Sequence, residues 1–254
     1  MDISGQIALV TGGGSGMGAA TAKHLAAQGA KLAVLDLNLE NAENIANEIG
    51  GMAIACDVSD TASVEAAIEK VTQELGVPRI VVNCAGICPA SRVVGREEPH
   101  DISMFEKTLA VNLIGSFNVL RLCAQAMSTA DALNDDNERG VIINTASVAA
   151  YDGQIGQAAY SASKGGLVGM TLPIAREVAR FGIRILTIAP GLMETPMLAG
   201  MSEEVYDSLV ATTLFPKRLG KPEEFSKLVQ HICENTLLNG ETIRLDGSIR
   251  LAPK

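Results

Sequence analysis

Three observations on the sequence predict an α/β fold, with a doubly wound parallel sheet and helices on both of its faces. Short apolar runs recur along the 254 residues, and they are continuous rather than alternating, as in strands that are buried on both faces. Helix-like stretches separate these runs, and repeated strand–helix alternation implies right-handed crossovers between parallel strands. Aromatic residues form only 3% of the chain, so Ala, Val, Ile and Leu must supply the core.

Seven apolar runs are predicted to be strands. They occupy residues 7–10, 32–35, 52–55, 80–82, 141–143, 183–188 and 242–245. The predicted helices are 16–28, 39–49, 61–75, one that begins near 103, 156–180 and 222–234. Glycines follow the first three helices, as is typical of helix ends. Ser103 is the predicted cap of the fourth helix, because Glu106 follows it at the spacing of a capping box.

We expect a single domain over residues 1–254, since no linker, low-complexity tract or internal repeat interrupts the alternation. Two polar segments, 88–101 and 128–140, are long loops of the kind that carry function or interfaces, unless they are exposed insertions. Segment 192–215 is rich in methionine and leucine. This composition is typical of a mobile apolar lid over a pocket, and the alternative is an amphipathic helix pair packed on the sheet.

Charge and composition exclude several classes of protein. A formal net charge of −9 argues against a nucleic-acid partner, because binding to phosphates along a strand needs a basic surface. The five cysteines contain no Cys-x-x-Cys and the three histidines have no metal-binding spacing, so we predict reduced thiols and no metal site. The N-terminal residues lack the pattern of a signal peptide, and the apolar runs are too short for a membrane span. We therefore expect a cytoplasmic protein with no membrane partner.

A glycine-rich turn, TGGGSGMG at 11–18, follows the first predicted strand and opens a helix. Glycines in this place allow backbone N–H groups to approach a pyrophosphate at the helix N-terminus. The second strand ends in Asp36, whose carboxylate can accept hydrogen bonds from ribose hydroxyls and would repel a 2′-phosphate. No Lys or Arg lies between Thr11 and Ala22 to receive such a phosphate. The pattern therefore predicts NAD rather than NADP.

Two further strand ends carry candidate cofactor contacts. Asp57 follows the third strand, where it could accept a bond from an adenine amino group or, alternatively, cap the next helix. The sequence NCAG at 83–86 ends the fourth strand, and its small residues would let the backbone lie beneath a cofactor.

Tyr160 and Lys164 lie four residues apart, which places them on one face of a predicted helix. A nearby ammonium favours the phenolate and lowers the pKa of a tyrosine, which could then exchange a proton with an alcohol–carbonyl pair. Ser147 follows the fifth strand and could hydrogen-bond the same oxygen. The alternative is an ordinary helical tyrosine beside a solvent-exposed lysine.

With these motifs, the sequence resembles the short-chain dehydrogenase/reductase family along its whole length. The matching positions are 11–18, Asp36, 83–86, Asn112, Ser147, Tyr160 with Lys164, and Pro190-Gly191 with Thr195. The resemblance implies a seven-stranded Rossmann sheet in the order 3-2-1-4-5-6-7 and hydride transfer between a nicotinamide and a carbinol carbon. It also implies a homotetramer that packs through the helices near 103–128 and 156–180.

The resemblance assigns roles to the catalytic candidates. Tyr160 would be the general acid/base, and Lys164 would tune it while holding the nicotinamide ribose. Ser147 would orient the substrate oxygen, and Asn112 would hold a water that links Lys164 to solvent.

Residues 139–191 and 215–250 resemble more closely a subgroup that acts on short-chain and 2-methyl-branched 3-hydroxyacyl-CoA. In that subgroup the residue matching Gln154 helps Ser147 and Tyr160 to hold the substrate hydroxyl. The implied cofactor contacts are Gly12, Ser15, Gly16, Met17, Gly18, Asp36, Asp57, Val58, Cys84, Ala85, Gly86, Tyr160, Lys164, Pro190, Met193 and Thr195. The resemblance is weakest in loop 88–101 and in the predicted lid.

Three functions remain open at this point. The first is an NAD-dependent 3-hydroxyacyl-CoA dehydrogenase, the second a hydroxysteroid or other secondary-alcohol dehydrogenase, and the third an NAD-binding scaffold subunit. A fatty-acid-synthesis ketoacyl reductase is disfavoured because such enzymes usually take NADP. The phosphates of an acyl-CoA substrate would need cationic side chains. The candidates are Arg92, Arg96, Lys217, Arg218 and Lys221, and the alternative is that these side chains are solvated and bind nothing.

Overall fold

The computed structural model describes residues 1–196 and 203–253, and it contains one seven-stranded sheet. Every strand pair in the sheet is parallel, and the strand order is 3-2-1-4-5-6-7, which confirms the predicted fold. The strands are β1 Ile7–Thr11, β2 Lys31–Asp36, β3 Met52–Ala55, β4 Ile80–Asn83, β5 Gly140–Thr145, β6 Ile183–Pro190 and β7 Thr242–Leu245.

Most strands extend one or two residues beyond the apolar runs that predict them. Asn83 and Asn144 illustrate the reason, because the parallel ladder pairs these two polar residues with one another at the end of β4 and β5. Hydrogen bonding between backbones continues the strand where the side chain is no longer apolar.

The described helices are α1 Gly16–Ala27, α2 Leu39–Ile49, α3 Thr61–Glu74, α4 Ile102–Leu109, α5 Ser116–Ser128, α6 Ala158–Val178, α7 Glu203–Thr212 and α8 Pro222–Glu234. Two apolar clusters show that the helices cover both faces of the sheet. Residues of α1, α2 and α8 pack on one face, and residues of α3, α5 and α6 pack on the other. Alternate residues of β1 serve the two clusters, with Ala8 and Val10 on one side and Leu9 on the other.

The predicted cap of α4 is wrong. Asp101, not Ser103, is the N-cap residue, and its carboxylate accepts hydrogen bonds from Ser103 N at 2.9 Å and Ser103 Oγ at 2.8 Å. An aspartate directly before the first helical residue competes successfully for the free N–H groups of the first turn. The helix therefore begins at Ile102, one residue earlier than predicted.

A continuous helical stretch, Ile102–Ser128, joins α4 to α5 through a π-helical turn, Ala110–Gly115. By length and composition alone this stretch would be long and apolar enough to cross a membrane. Its α5 portion packs against α3 and contributes buried side chains such as Cys123 and Met127 to the core. This packing accounts for the apolar composition of the stretch.

All five cysteines are free thiols, and three of them, Cys56, Cys123 and Cys233, are buried. Burial raises the pKa of Cys123 to about 12, so this thiol is protonated and inert at neutral pH. The three buried thiols therefore contribute to packing, whereas Cys84 and Cys88 are only partly buried.

Candidate active site

The carboxyl ends of the parallel strands bring the candidate residues to one edge of the sheet. Thr11, at the end of β1, accepts a hydrogen bond from Cys84 N through its carbonyl at 3.1 Å and from Ala85 N through its hydroxyl at 3.2 Å. The glycine-rich turn is thereby joined to the segment after β4, at the position where open α/β sheets bind ligands.

The glycines of the turn are required by close backbone contacts. Gly12 has φ of +61°, and a methyl group in place of its hydrogen would lie 2.8 Å from the backbone N and Cα of Ala85. A methyl group on Gly18 would overlap the carbonyl oxygen of Gly12. The turn therefore follows a backbone path that only glycine permits. We call the backbone of this turn, directly before α1, the cradle.

The N-terminus of α1 differs from those of the next three helices. Asn38, Asp60 and Asp101 cap α2, α3 and α4 with side-chain oxygens that accept backbone N–H bonds. Ser15 occupies the cap position of α1 but makes no such bond, and the first turn carries no acidic side chain. The N–H groups there are free of a competing side-chain acceptor, as an anion-binding helix terminus requires.

Asp36 lies at the end of β2 with its carboxylate directed to the turn. Its Oδ2 accepts a hydrogen bond from Gly14 N at 2.9 Å, and its Oδ1 accepts one from Asn38 N at 3.0 Å. A negative charge is therefore fixed beside the glycine turn, where the sequence predicts the acid that contacts a ribose.

Asp57 does not cap α3, because Asp60 holds that position. The Asp57 carboxylate instead accepts hydrogen bonds from the backbone and hydroxyl of Ser59, at 2.9 Å and 2.6 Å. Its neighbour Val58 packs on the π-helical turn, since a methyl group on Gly115 would lie 2.8 Å from Val58 Cγ2. The segment after β3 is thereby joined to the helix that carries Asn112.

Asn112 lies within the π-helical turn and is fully buried. Its amide oxygen accepts a hydrogen bond from Ile87 N at 2.8 Å, and its amide nitrogen donates to Ile87 O at 2.9 Å and to Ser163 Oγ at 3.0 Å. Single π-helical turns are frequent at functional sites. Here the turn fixes Asn112 between the segment after β4 and α6, and both hydrogens of its amide are engaged.

Lys164 is buried on α6 and donates a hydrogen bond to Thr145 O at 2.6 Å. Burial lowers the pKa of its ammonium to about 8, against a smaller opposing effect of Cys84 and Cys88. Gly86 lies beside it, because a methyl group there would lie 3.5 Å from Lys164 Nζ and 3.2 Å from Asn112 Oδ1. The glycine of the NCAG segment thus leaves room next to both polar side chains.

Tyr160 lies on the same face of α6, with the Lys164 nitrogen 5.7 Å from the centre of its ring. Burial raises the pKa of Tyr160 to about 12, and its side-chain hydrogen bond with Ser147 opposes this shift. The sequence predicts a lowered pKa from the ammonium of Lys164. In the structure that ammonium is bound to Thr145 O, and desolvation of the phenol is the largest cause of the shift in the pKa of Tyr160.

Ser147 follows β5 and begins the loop that leads to α6. Its hydroxyl accepts a hydrogen bond from Ala149 N at 3.1 Å, which holds the side chain at the carboxyl edge of the sheet beside Tyr160. The structure therefore brings together all four predicted catalytic residues, Asn112, Ser147, Tyr160 and Lys164, although they come from three separate elements.

The structure adds residues that motif reasoning missed. Ser163 joins Asn112 to the backbone of Tyr160, because its hydroxyl accepts from Asn112 and donates to Tyr160 O at 2.7 Å. The carbonyl of Thr145 holds Lys164. Burial raises the pKa of the Cys88 thiol, which follows the NCAG segment by two residues. Only the spacing of Ser163, three residues after Tyr160, offers a signal in the sequence.

The remaining predicted positions lie at the edges of the site. Thr195 lies against the turn, 3.5 Å from the position that a methyl group on Gly16 would take. Met193 is 6% exposed and packs into the core beside Gly220. Gln154 donates a hydrogen bond to Ala252 O at 3.1 Å, so its amide is directed to the end of the described chain.

The predicted lid, 192–215, is only partly described, and its residues Met197, Leu198 and Met201 lie outside the described part. Within it, α7 forms one helix, and Tyr206 OH donates to Glu194 Oε1 at 3.0 Å. Leu214 and Phe215 follow the helix and are 64% and 84% exposed. These two apolar side chains of the predicted lid are thus open to solvent, whereas Met193 is buried.

Comparison with known proteins gives a consistent result. A family model described as "short chain dehydrogenase" matches residues 6–205. The chain is 49% identical to 3-hydroxyacyl-CoA dehydrogenase type-2 from Bos taurus, over 99% of this chain and 97% of that protein. It is 32% identical to ipsdienol dehydrogenase from Ips pini, over 98% of both chains. The crystal structure of 3-hydroxyacyl-CoA dehydrogenase type-2 from Mycobacterium avium superimposes with a TM-score of 0.94 at 41% identity, covering 98% of each chain.

Proposed function

This chain belongs to the short-chain dehydrogenase family and is an oxidoreductase, and from that premise we propose that it interconverts 3-hydroxyacyl-CoA and 3-ketoacyl-CoA with NAD. Short-chain and 2-methyl-branched acyl groups are the proposed substrates. The observation that carries the proposal is the meeting of Tyr160, Ser147 and Lys164 at the sheet edge that also holds the glycine turn. Such an arrangement places a proton donor where a hydride would be exchanged.

NAD is the proposed cofactor because the residues fit it. The cradle at Gly12 and the uncapped start of α1 suit a pyrophosphate, and Asp36 suits the ribose hydroxyls and repels a 2′-phosphate. The small residues Cys84, Ala85 and Gly86 form the floor between the turn and Lys164. When bound, the cofactor supplies or accepts the hydride at the substrate carbon.

The side chains of this site move the proton. In the direction of reduction, Tyr160 donates its phenolic proton to the carbonyl oxygen, and its raised pKa keeps the phenol protonated at neutral pH. Ser147 donates a hydrogen bond to the same oxygen as negative charge develops on it. The buried ammonium of Lys164 then stabilises the phenolate and can restore the proton, because its pKa of about 8 is close to neutral. In the direction of oxidation the same steps are reversed.

The phosphates of CoA require local cations on an acidic protein. Arg218 is not free for this role, since it forms a two-pronged salt bridge with Glu224 at 2.8 Å. Lys217 donates to Ala211 O at 3.3 Å, and Lys221 is the cap residue of α8. Arg92 and Arg96 in loop 88–101 are exposed, and we propose that this loop supplies the contact with CoA.

Initial rates on a panel of substrates test the proposal. The panel contains acetoacetyl-CoA, a 2-methyl-branched 3-hydroxyacyl-CoA, a hydroxysteroid and a simple secondary alcohol, each with NAD(H) and NADP(H). We expect NADH-dependent reduction of acetoacetyl-CoA to exceed every reaction of a free alcohol. A preference for NADPH would contradict the cofactor assignment.

A secondary-alcohol dehydrogenase is the second candidate, supported by the full-length similarity to ipsdienol dehydrogenase. Its mechanism would use the same residues. Higher kcat/KM on a free alcohol than on any acyl-CoA in the panel would establish it.

An NAD-binding scaffold without turnover is the third candidate function. It predicts NADH binding with no activity on any substrate.

We also propose a cytoplasmic homotetramer that packs through the long helices. The support is a set of large apolar side chains left exposed on α5, α6 and the π-helical turn, among them Ile114, Phe117 and Leu172. Gly165 and Gly169 on α6 have open space beside them, which suits close approach of a second helix. Light scattering of the purified protein measures the mass, and a monomer would contradict this proposal.

A further inference from the structure

After β7 the chain turns back across the carboxyl edge of the sheet. We call residues 246–253 the tail segment and residues 148–157 the catalytic loop, since the latter connects Ser147 to the helix of Tyr160. The tail segment packs against the strand end of β6, because a methyl group on Gly191 would lie 2.9 Å from Asp246 Cα. Ile249 anchors the segment and is fully buried.

Arg244, on β7, binds the catalytic loop and the tail segment at once. Its guanidinium donates to Asp152 Oδ2 at 2.6 Å, to Asp246 Oδ2 at 2.7 Å and to Ile249 O at 3.1 Å. The same group lies 5.1 Å from the centre of the Tyr151 ring. Arg244 is 23% exposed and Asp152 21%, so the pair is largely shielded from water.

Two further hydrogen bonds join the catalytic loop to the tail segment. Ile155 N donates to Pro253 O at 3.0 Å, and Gln154 Nε2 donates to Ala252 O at 3.1 Å. On its other side the loop is held by Ser91 N, which donates to Gly156 O at 2.9 Å. The catalytic loop is therefore fixed between the tail segment and loop 88–101.

We propose that Arg244 is a positioning residue for the substrate: it acts through Asp152 to hold the catalytic loop, and with it Ser147, in the arrangement that receives the substrate oxygen. This inference rests on the proposed function, in that Ser147 and Tyr160 act on a carbonyl or hydroxyl. Arg244 contacts neither the glycine turn nor Asp36 among its hydrogen bonds, so its effect falls on the substrate and not on the cofactor.

A planar guanidinium is suited to this position, because its fork serves two carboxylates and a carbonyl in fixed directions. A lysine at position 244 would keep the charge but would be unable to reproduce that geometry. Arg250 offers a matched control. It also binds Asp246 Oδ2, at 3.2 Å, but its hydrogen bonds go only to the tail segment and it is 61% exposed.

The test compares Arg244→Gln, Arg244→Lys, Asp152→Asn and Arg250→Gln in steady-state kinetics and NADH titration. For Arg244→Gln and Asp152→Asn we expect kcat/KM for the acyl substrate to fall about tenfold, with the Kd of NADH within about threefold of the parent enzyme. Arg244→Lys should recover part of the loss, and Arg250→Gln should match the parent. The double variant Arg244→Gln/Asp152→Asn should be no worse than either single variant, because both remove the same contact.

Hydrogen exchange of peptides from 148–157 is the second readout, and it needs no substrate. We expect faster exchange there in Arg244→Gln than in Arg250→Gln. An unchanged kcat/KM for the acyl substrate together with unchanged exchange, or a fall in kcat/KM matched by an equal rise in the Kd of NADH, would overturn the proposal. If the parent enzyme turns over no acyl-CoA, the proposed function fails, whereas the exchange measurement still decides the role of Arg244. If Arg244→Gln does not fold, Asp152→Asn tests the same contact from the loop.

Discussion

The glycine turn and the catalytic loop lie on the same edge of the sheet but are held by different means. In the turn, the charged contact of Gly14 N with Asp36 spans only 22 residues of sequence, and glycine conformations set the backbone path. In the loop, the Arg244–Asp152 pair spans 92 residues and the Gln154–Ala252 bond spans 98. The backbone path on the cofactor side is thus set by a short motif, although the bond from Ala85 N to Thr11 Oγ1 spans 74 residues, whereas the position of the catalytic loop depends throughout on contacts that only the folded chain creates.

The N-terminus of α1, next to the glycine turn, also differs from those of the three helices that follow it. Side chains satisfy the first turn of α2, α3 and α4, while α1 is left without a side-chain cap. A capped helix start contributes to stability, and an uncapped one is available to an anion. The start of α6 also lacks a side-chain cap, so it is the position of α1 after the glycine turn that marks its N-terminus as the expected anion site.

Tyr160→Phe is expected to have the largest effect, and it separates chemistry from cofactor binding. Removal of the phenol hydroxyl removes the proton donor, so we expect turnover to fall about 10³-fold while NADH binds as in the parent. Initial rates and NADH fluorescence titration measure the two quantities. Tyr151→Phe is the matched control, since the ring of Tyr151 and not its hydroxyl contacts Arg244. Full activity of Tyr160→Phe would refute the mechanism.

Asp36→Ala tests the cofactor side alone. The carboxylate is expected to accept charge-assisted bonds from ribose hydroxyls and to repel a 2′-phosphate, so its loss should lower the preference for NAD over NADP about 100-fold. The ratio of kcat/KM for the two cofactors measures this preference. Glu40→Gln removes a neighbouring charge in the first turn of α2 and should leave the ratio unchanged. An unaltered ratio in Asp36→Ala would mean that other residues select the cofactor.

The pH dependence of the rate tests the proton path on the substrate side. Burial depresses the pKa of Lys164 to about 8, so this group is protonated below that pH and neutral above it. Reduction of the keto substrate consumes a proton, and its kcat/KM should fall about tenfold per pH unit above the pKa of Lys164. Oxidation releases a proton and should rise over the same range. A rate of reduction that is flat between pH 7 and 10 would exclude Lys164 from the path.

Glu224→Gln is expected to have the smallest effect, because its contacts lie away from the catalytic residues. Hydrogen bonds from Arg218, and a weaker one from Lys221 N, lower the pKa of Glu224 to about 2. Its stabilising contribution is present above the ordinary value of 4.5 and is lost as the pH falls towards 2. Since the pair is more than one-third exposed, we expect a loss of about 1 kcal/mol at pH 7.

Chemical denaturation at pH 7 and at pH 3 measures the effect of Glu224→Gln. The difference from the parent should shrink at the lower pH. Glu223→Gln, in the same helical turn, is the control. An equal loss in both variants would show that the helix terminus, and not the contact with Arg218, is responsible.

Motif reasoning from the sequence placed residues correctly where a residue type is tied to a local conformation, and the roles of these residues in binding and catalysis stay predictions. The glycine turn, Asp36 and the Tyr160–Lys164 pair were predictable, because glycine geometry and helical spacing act over a few residues. The cap of α4 was mispredicted because Ser103 is itself a donor in the first turn, where its N–H and hydroxyl bind the carboxylate of Asp101. Ser163 and the carbonyl of Thr145 were missed because each binds a side chain from another element, Asn112 and Lys164 respectively.

By itself the sequence determined the order of strands and helices, the glycine path before α1 and the sign of the charge at the end of β2. These follow from periodicity and from steric limits on single residues. Only the tertiary structure decided that burial raises the pKa of Tyr160, and that Arg244 holds the catalytic loop. Desolvation and long-range ion pairs depend on which distant segments of the chain are brought into contact. No local sequence pattern specifies these contacts.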